Sequence, residues 1–258
     1  MLRRSLLLAA PAPFLARGAL AQASNTAAFG TAARPLRVGV TAGVHAQVLE
    51  QVRDVLAKDN FVVRITEFAD FIQPNVALQG SEIDANVYQH QPFLDAQKQQ
   101  RGYDFVPVGK TVLTAMAVFS RKHKTVADLP NGATIAIPND PTNGGRALVL
   151  LAEAGFFRLR AGADFRATAA SIARAIDDVD AAAITGNYAV PAGLQPGRDS
   201  LAAESAEGAK TNPYTCLVVV RSADAAAPWA AKLASGYADP AVKAFVEQKF
   251  GGAVVVGA

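Results

Sequence analysis

Between Ile135 and Leu151 the chain reads Ile-Ala-Ile-Pro-Asn-Asp-Pro-Thr-Asn-Gly-Gly-Arg-Ala-Leu-Val-Leu-Leu, and few folds have a use for such a stretch. Ile135 to Ile137 is a short apolar strand, Pro138 and Pro141 stop it, and an apolar helical period resumes at Ala147. A strand that passes through a polar, Gly-rich turn into a helix belongs to an α/β architecture. Such a turn aims free backbone N–H groups, and the positive end of a helix dipole, at one point. With Arg146 in the first helical turn, that point suits a carboxylate, which a guanidinium can grip through two parallel hydrogen bonds. The plainer alternative is that Thr142 or Asn143 caps the helix and Arg146 is a solvated surface residue.

The rest of the chain repeats the alternation. Leu36–Thr41, 61–68 and 83–88 read as strands by their β-branched and alternating content. Helical periods follow each of them, to about Lys58, from Asn75 to near Gly80, and from Gln91 to Arg101, where Pro92 falls in the tolerated first turn. The order predicts an open parallel sheet covered by helices. Further strands are expected at 104–108, 113–121, 181–184 and 214–220, with a short strand at 165–169 and a helical turn at 171–176. Two C-terminal helices are expected at 227–238 and 240–249. Two βα sets of similar length, before and after about residue 112, predict two lobes. The predicted strands end in polar or aromatic clusters: Thr41 to His45, Phe68 to Phe71, Tyr88 to His90, Asn139 to Asn143, and Gly186 to Tyr188. Ligands bind beyond the carboxyl ends of parallel strands, so these clusters are candidates for one cleft, closed by a hinge.

Charge excludes one class of partner. Three of the 25 basic side chains, Arg3, Arg4 and Arg17, lie in residues 1–21, which leaves 22 to balance 22 acidic ones. No basic patch speaks for nucleic acid. Residues 1–21 have a charged start, an apolar run from Ser5 to Leu15 and Ala19-Leu20-Ala21 as a cleavage site, the pattern of an export signal of the twin-arginine or the general type. Residues 22–35 are expected to be a flexible leader. Cys216 is the single cysteine. It reads as a small buried hydrophobe, and no cysteine follows the signal to carry a lipid, so the expectation is an exported, soluble periplasmic protein without an anchor. No metal ligand set and no cofactor motif is found.

Four segments, Phe68-Ala-Asp-Phe-Ile-Gln-Pro-Asn75, Ile83-Asp-Ala-Asn-Val-Tyr-Gln-His-Gln-Pro-Phe-Leu-Asp95, Ile137 to Arg146 and Gly186-Asn-Tyr-Ala189, resemble the NlpA-type lipoproteins, the methionine-binding components of ABC importers. The resemblance runs from about Leu36 to Phe250-Gly-Gly-Ala-Val. It implies an α/β, type II-like periplasmic-binding-protein fold with a ligand cleft between two lobes, 36–112 plus 217–258 and 113–216. It implies that Arg146 binds the ligand carboxylate, that Asn143 and Asn187 supply amide hydrogen bonds, and that Tyr88, His90, Phe93 and Phe71 enclose the side chain. The implied partners are a small amino acid, methionine or a relative, and an ABC permease with its ATPase in the cytoplasmic membrane; a monomer is expected. Four features depart from the family: the missing anchor cysteine, Cys216 where an asparagine is usual, phenylalanine for tyrosine at 71 and 93, and a short segment between Phe157 and Ala181. A soluble ligand sensor remains the alternative. An enzyme on the same scaffold is disfavoured, because no glycine-flanked serine and no His pair at ligand spacing is found, and Asp70 and Asp84 near the expected cleft have no evident partner.

Overall fold

The computed structural model describes residues 28–156 and 179–258. The expected signal peptide, the strand at 165–169, the turn at 171–176 and most of the short segment after Phe157 lie outside them. β1 (Leu36–Thr41), α1 (Val44–Ala57), β2 (Val63–Phe68), α2 (Gln73–Gln79), β3 (Ala85–Asn86), α3 (Gln91–Arg101) and β4 (Phe105–Lys110) follow the predicted alternation. The chain then crosses through β5 (Val112–Thr114) to β6 (Met116–Phe119), β7 (Ile135–Ala136), α4 (Pro141–Glu153), β8 (Ala181–Thr185), α5 (Gly186–Ala189), α6 (Pro196–Asp199) and β9 (Ser200–Ala203). It returns as β10 (Leu217–Arg221), α7 (Pro228–Tyr237), α8 (Pro240–Phe250) and β11 (Val254–Val256).

Two main sheets result, ordered β2-β1-β3-β10-β4 and β7-β8-β6-β9, with β11 and β5 pairing beside the crossover. Both are mixed rather than parallel. β10 runs antiparallel between β3 and β4, and β6 runs antiparallel to β8 and β9. The apolar run Leu217 to Val220 explains that central place, since Val218 and Val220 enter one core and Leu217 and Val219 the other. A strand covered on both faces reads as a continuous hydrophobic run. The predicted long strand at 113–121 is instead two, broken at Ala115. Its first half pairs with β11 and its second with β8, so the two halves must diverge.

The first sheet is a three-layer sandwich. Val48, Leu49, Val52 and Leu56 of α1 and Trp229, Leu233 and Tyr237 of α7 cover one face, while Ala77, Leu78 and Leu94 cover the other. Each buried Val or Leu among these contributes roughly 1.5–3 kcal/mol. The second sheet packs Met116, Val118 and Ala183 against Leu150 and Leu151 of α4. Residues 28–34 are not the loose leader that their composition predicts. Phe29 packs on Trp229 with centroids 5.3 Å apart, Arg34 lies over the Phe29 ring, and the Val62 N–H donates to Gly30 O.

Candidate functional site

The strand ends meet where the two sheets face each other. The opening stretch does not fold as its local pattern predicts. α4 starts at Pro141, so Gly144 and Gly145 lie inside the helix and Arg146 in its second turn. The cap is Asp140, not Thr142 or Asn143; its Oδ1 accepts from the Asn143 N–H at 2.9 Å and the Thr142 hydroxyl at 2.9 Å. Asp140 Oδ2 accepts from Asn143 Nδ2 at 3.0 Å, which turns Asn143 Oδ1 toward the other sheet. There it meets His90 Nε2 at 3.0 Å.

His90 is itself the N-cap of α3. Its Nδ1 accepts from the Phe93 N–H at 3.2 Å, so the ring carries its proton on Nε2 and donates it to Asn143. One imidazole therefore caps a helix of one lobe and joins it to a helix cap of the other. Burial, aided by Arg146, pushes the His90 pKa down to about 4, and burial together with His90 does the same to His45. Both rings are neutral near pH 7.

Asn187 makes a second interlobe clasp. Helix α1 begins at Gly43, which has no side chain to cap it. Asn187 reaches across from α5, its Oδ1 accepting from the His45 N–H at 3.0 Å and its Nδ2 donating to Ala42 O at 3.0 Å. Gly43 permits this approach. Its φ is +104°, and a Cβ there would sit 2.5 Å from Asn187 O. The amide groups of both predicted asparagines are thus engaged in holding the lobes together.

Between these clasps lies a narrow pocket with about 20 Å³ of free space, room for about one water molecule. All seven predicted residues, Arg146, Asn143, Asn187, Tyr88, His90, Phe93 and Phe71, line it. Phe71 and Phe93 form an edge-on pair at 6.2 Å, and Tyr88 stacks near Phe71 at 6.1 Å while its hydroxyl donates to Phe71 O at 2.7 Å. The Tyr88 phenol is pushed well above its ordinary pKa, chiefly by burial. Beneath them a closed amide network of Asn75, Asn86 and Gln89, with contacts of 2.8–3.0 Å, fixes the strand end that carries Tyr88 and His90.

Arg146 lines the pocket, one turn further into the helix than expected, and is paired within the protein. Its two-pronged grip is on Glu204, through Nε to Oε1 at 2.7 Å and Nη2 to Oε2 at 2.5 Å. Nη2 also donates to Thr114 O at 3.1 Å, and Tyr214 stacks on the guanidinium at 4.3 Å. Nη1 is the nitrogen that neither Glu204 nor Thr114 engages.

Sequence reasoning passed over several pocket residues. His45 and Gln89 sat inside clusters already marked and could have been nominated; Thr114 and Thr185 carry no local signal, nor does Glu204, which stands behind the pocket as the partner of Arg146. Thr185 Oγ1 lines the pocket, is buried, and has no hydrogen-bond partner among the described residues. Cys216 also lines it; its thiol donates to Tyr88 O at 3.2 Å and lies 3.7 Å from His45 Nε2, a neighbour invisible in sequence. Burial pushes this thiol up to about 12, far from the pKa of a nucleophile. Asp70 and Asp84, expected near the cleft, are structural. Asp70 Oδ1 accepts from the Ile72 and Gln73 N–H groups that open α2, and Asp84 is gripped by Arg37 at 2.6 Å. Among the described residues no cluster of His, Cys, Asp or Glu could hold a metal ion.

Two α/β lobes facing each other across an enclosed polar and aromatic pocket define the class: this is the two-lobe periplasmic-binding-protein fold, type II-like. The chain belongs to the NlpA lipoprotein family, which it matches over residues 36–173 and 166–258. It is 40% identical to the probable D-methionine-binding lipoprotein MetQ of Pasteurella multocida, over 74% of either chain. With the D-methionine-binding lipoprotein MetQ of Escherichia coli it shares 35% identity over 86% of this chain and 88% of the relative. Among solved structures it resembles a nutrient-binding protein from Burkholderia cenocepacia bound to methionine, with a TM-score of 0.80 and 41% identity over 87% of this chain and all of that one. A periplasmic substrate-binding protein of an ABC transporter from Coxiella burnetii matches with a TM-score of 0.80 and 38% identity, over 86% of this chain and all of the other.

Family membership corrects one expectation. The reading of a soluble protein without an anchor rested on a cysteine missing after the signal. The family and these MetQ relatives are named lipoproteins, and lipoproteins are lipid-anchored, so that reading does not stand. Its physical ground was the absence of one residue type, which is not a property of any fold or surface.

Proposed function

We propose that this protein is the substrate-binding component of an ABC importer and captures methionine, or an amino acid of that shape, in the pocket between its lobes. The observation that carries the reading is the pairing of a buried guanidinium and an unpartnered buried hydroxyl, Arg146 and Thr185, with three aromatic rings in one enclosed pocket. Its free space, about 20 Å³, is far below the roughly 300–1,000 Å³ of small-molecule sites, so the lobes and lining side chains must part to admit the ligand. Arg146 offers Nη1 to the ligand carboxylate, and Thr185 offers a hydroxyl that can donate or accept. Phe71, Tyr88 and Phe93 receive the apolar end, where a thioether gains favourable contacts with ring edges. Asn143, Asn187 and His90 hold the lobes closed around it.

The lobes are taken as 36–112 with 217–258, and 113–216; sheet membership supports that division. The bound ligand is handed, without chemistry, to a permease driven by an ATPase, by one monomer at a time. Relatives named for D-methionine and a neighbour bound to methionine support the ligand class. Thermal unfolding in the presence of each free amino acid, both methionine enantiomers included, tests the reading. A ligand at 100 times its Kd stabilises the folded state by about 2.7 kcal/mol. Methionine is expected to raise the Tm and charged amino acids to leave it unchanged; no shift with any of them contradicts the proposal.

A further inference from the structure

The guanidinium and its partner differ in exposure. The Arg146 side chain is 2% exposed and that of Glu204 18%, because Glu204 approaches from behind. Its carboxylate lines a second, wider groove between the lobes, formed by residues 195–198 and 248–253, so the ion pair is the wall between that groove and the ligand pocket. Among the described residues that line the pocket there is no aspartate or glutamate, and Arg146 is the one lysine or arginine.

We infer that Glu204 sets the charge class of the ligand: by cancelling the Arg146 charge from the rear, it fits the pocket to a zwitterion with a carboxylate rather than to a monoanionic acid of the same shape. The inference rests on the proposed function and goes one step beyond it. A monoanion enclosed against an already neutralised guanidinium leaves one uncompensated negative charge in a poorly hydrated site, which is costly. A zwitterion brings its own cation. The neutral imidazoles of His45 and His90 add no charge to this balance near pH 7. A Glu204 that merely braced Arg146 would affect affinity for both ligands alike.

The test compares L-methionine with its α-hydroxy acid counterpart, which keeps the carboxylate and thioether but has a hydroxyl for the ammonium. Both are titrated calorimetrically into the wild-type protein, Glu204→Gln, Glu204→Ser and Glu204→Asp. Gln turns an N–H donor toward either Arg146 or the Met116 N–H, which Glu204 Oε2 accepts at 2.8 Å, so Ser serves as a second neutral variant if Gln does not fold. The wild type is expected to prefer the amino acid. In the neutral variants the ratio of dissociation constants should move toward the hydroxy acid by about tenfold or more, as expected for an uncovered buried charge. Glu204→Asp, which keeps the charge, should retain the wild-type preference. An unchanged ratio in a folded neutral variant overturns the inference and leaves the ligand reading standing, as does a wild type that binds both equally. Failure of the wild type to bind either compound overturns both.

Discussion

Replacing Asn187 by alanine removes contacts that exist only when the lobes are together. Its Oδ1 satisfies the His45 N–H, one of the orphan donors in the first turn of α1, and its Nδ2 satisfies Ala42 O, both at 3.0 Å. The Asn187 side chain and the bond to His45 are buried, so in the closed form the His45 N–H loses its partner without gaining water, whereas the exposed Ala42 O regains water. At about 1–3 kcal/mol for one orphaned buried donor, the closed state is destabilised by roughly 1–3 kcal/mol. When the lobes part, water reaches the His45 N–H too and the loss disappears. Closure, and any affinity that depends on it, should therefore weaken by about 5- to 150-fold. Calorimetry reads the affinity, and small-angle scattering of the ligand-free protein reads closure without any ligand contact. The expected result is weaker binding, a larger ligand-free radius of gyration and a thermal stability close to wild type. An unchanged radius with intact binding would refute the assignment of Asn187 as an interlobe clasp.

Gly43→Ala attacks the same junction from the other side. Its φ of +104° and the 2.5 Å approach of a Cβ to Asn187 O together predict a loss of about 1–3 kcal/mol or more in urea denaturation and weaker closure; wild-type stability would count against the described contact. The two imidazoles make stability depend on pH. Their folded pKa values of about 4 lie below the ordinary 6.5, so the unfolded chain binds more protons between those limits and stability rises with pH across that window. The contribution, roughly 3 kcal/mol at most for each ring, is fully present above pH 6.5 and lost by pH 4. Urea titrations from pH 4 to 7 should show the slope in the wild type and a shallower one in His45→Gln; a flat wild-type profile contradicts it. The Cys216 thiol, buried and raised to about 12, should resist a thiol-specific reagent in native buffer and react fully in urea; fast native labelling would place it elsewhere.

The sequence carried the helices best. α1, α3, α7 and α8 lie within a few residues of where apolar period and Pro or Gly punctuation put them, because those signals are local. Strand boundaries were less legible. β3 is only Ala85–Asn86 although the apolar run is longer, since pairing with β1 and β10 decides how much of it counts as sheet. The antiparallel insertion of β10 depends on a return crossing of more than a hundred residues, which no window of sequence contains. β9 and α6 were not foreseen, for short segments rich in Ala, Pro or Gly have weak strand and helix preferences; β11, three valines, carried a β signal that was passed over.

The pocket shows the same division. Residues at strand ends and in dense polar motifs could be nominated together, and the structure brings all seven to one place. What those residues touch could not be read. Glu204 lies 58 positions from Arg146, and Asn187 lies 142 from His45, in surroundings with no distinguishing composition. The Gly144-Gly145 pair misled, because a turn signal was outvoted by an Asp140 cap that starts the helix earlier. In each case the deciding interaction was long-range, and the local pattern was only a prior.

The most direct test of the account is calorimetric titration of L- and D-methionine into the purified wild-type protein and into Arg146→Ala. The account predicts saturable binding of one ligand per chain to the wild type for at least one enantiomer. It predicts a loss of about 30-fold or more in the variant, as when one partner of a buried charge-assisted hydrogen bond is removed. Absence of binding to a folded wild type, or equal binding by Arg146→Ala, would contradict it.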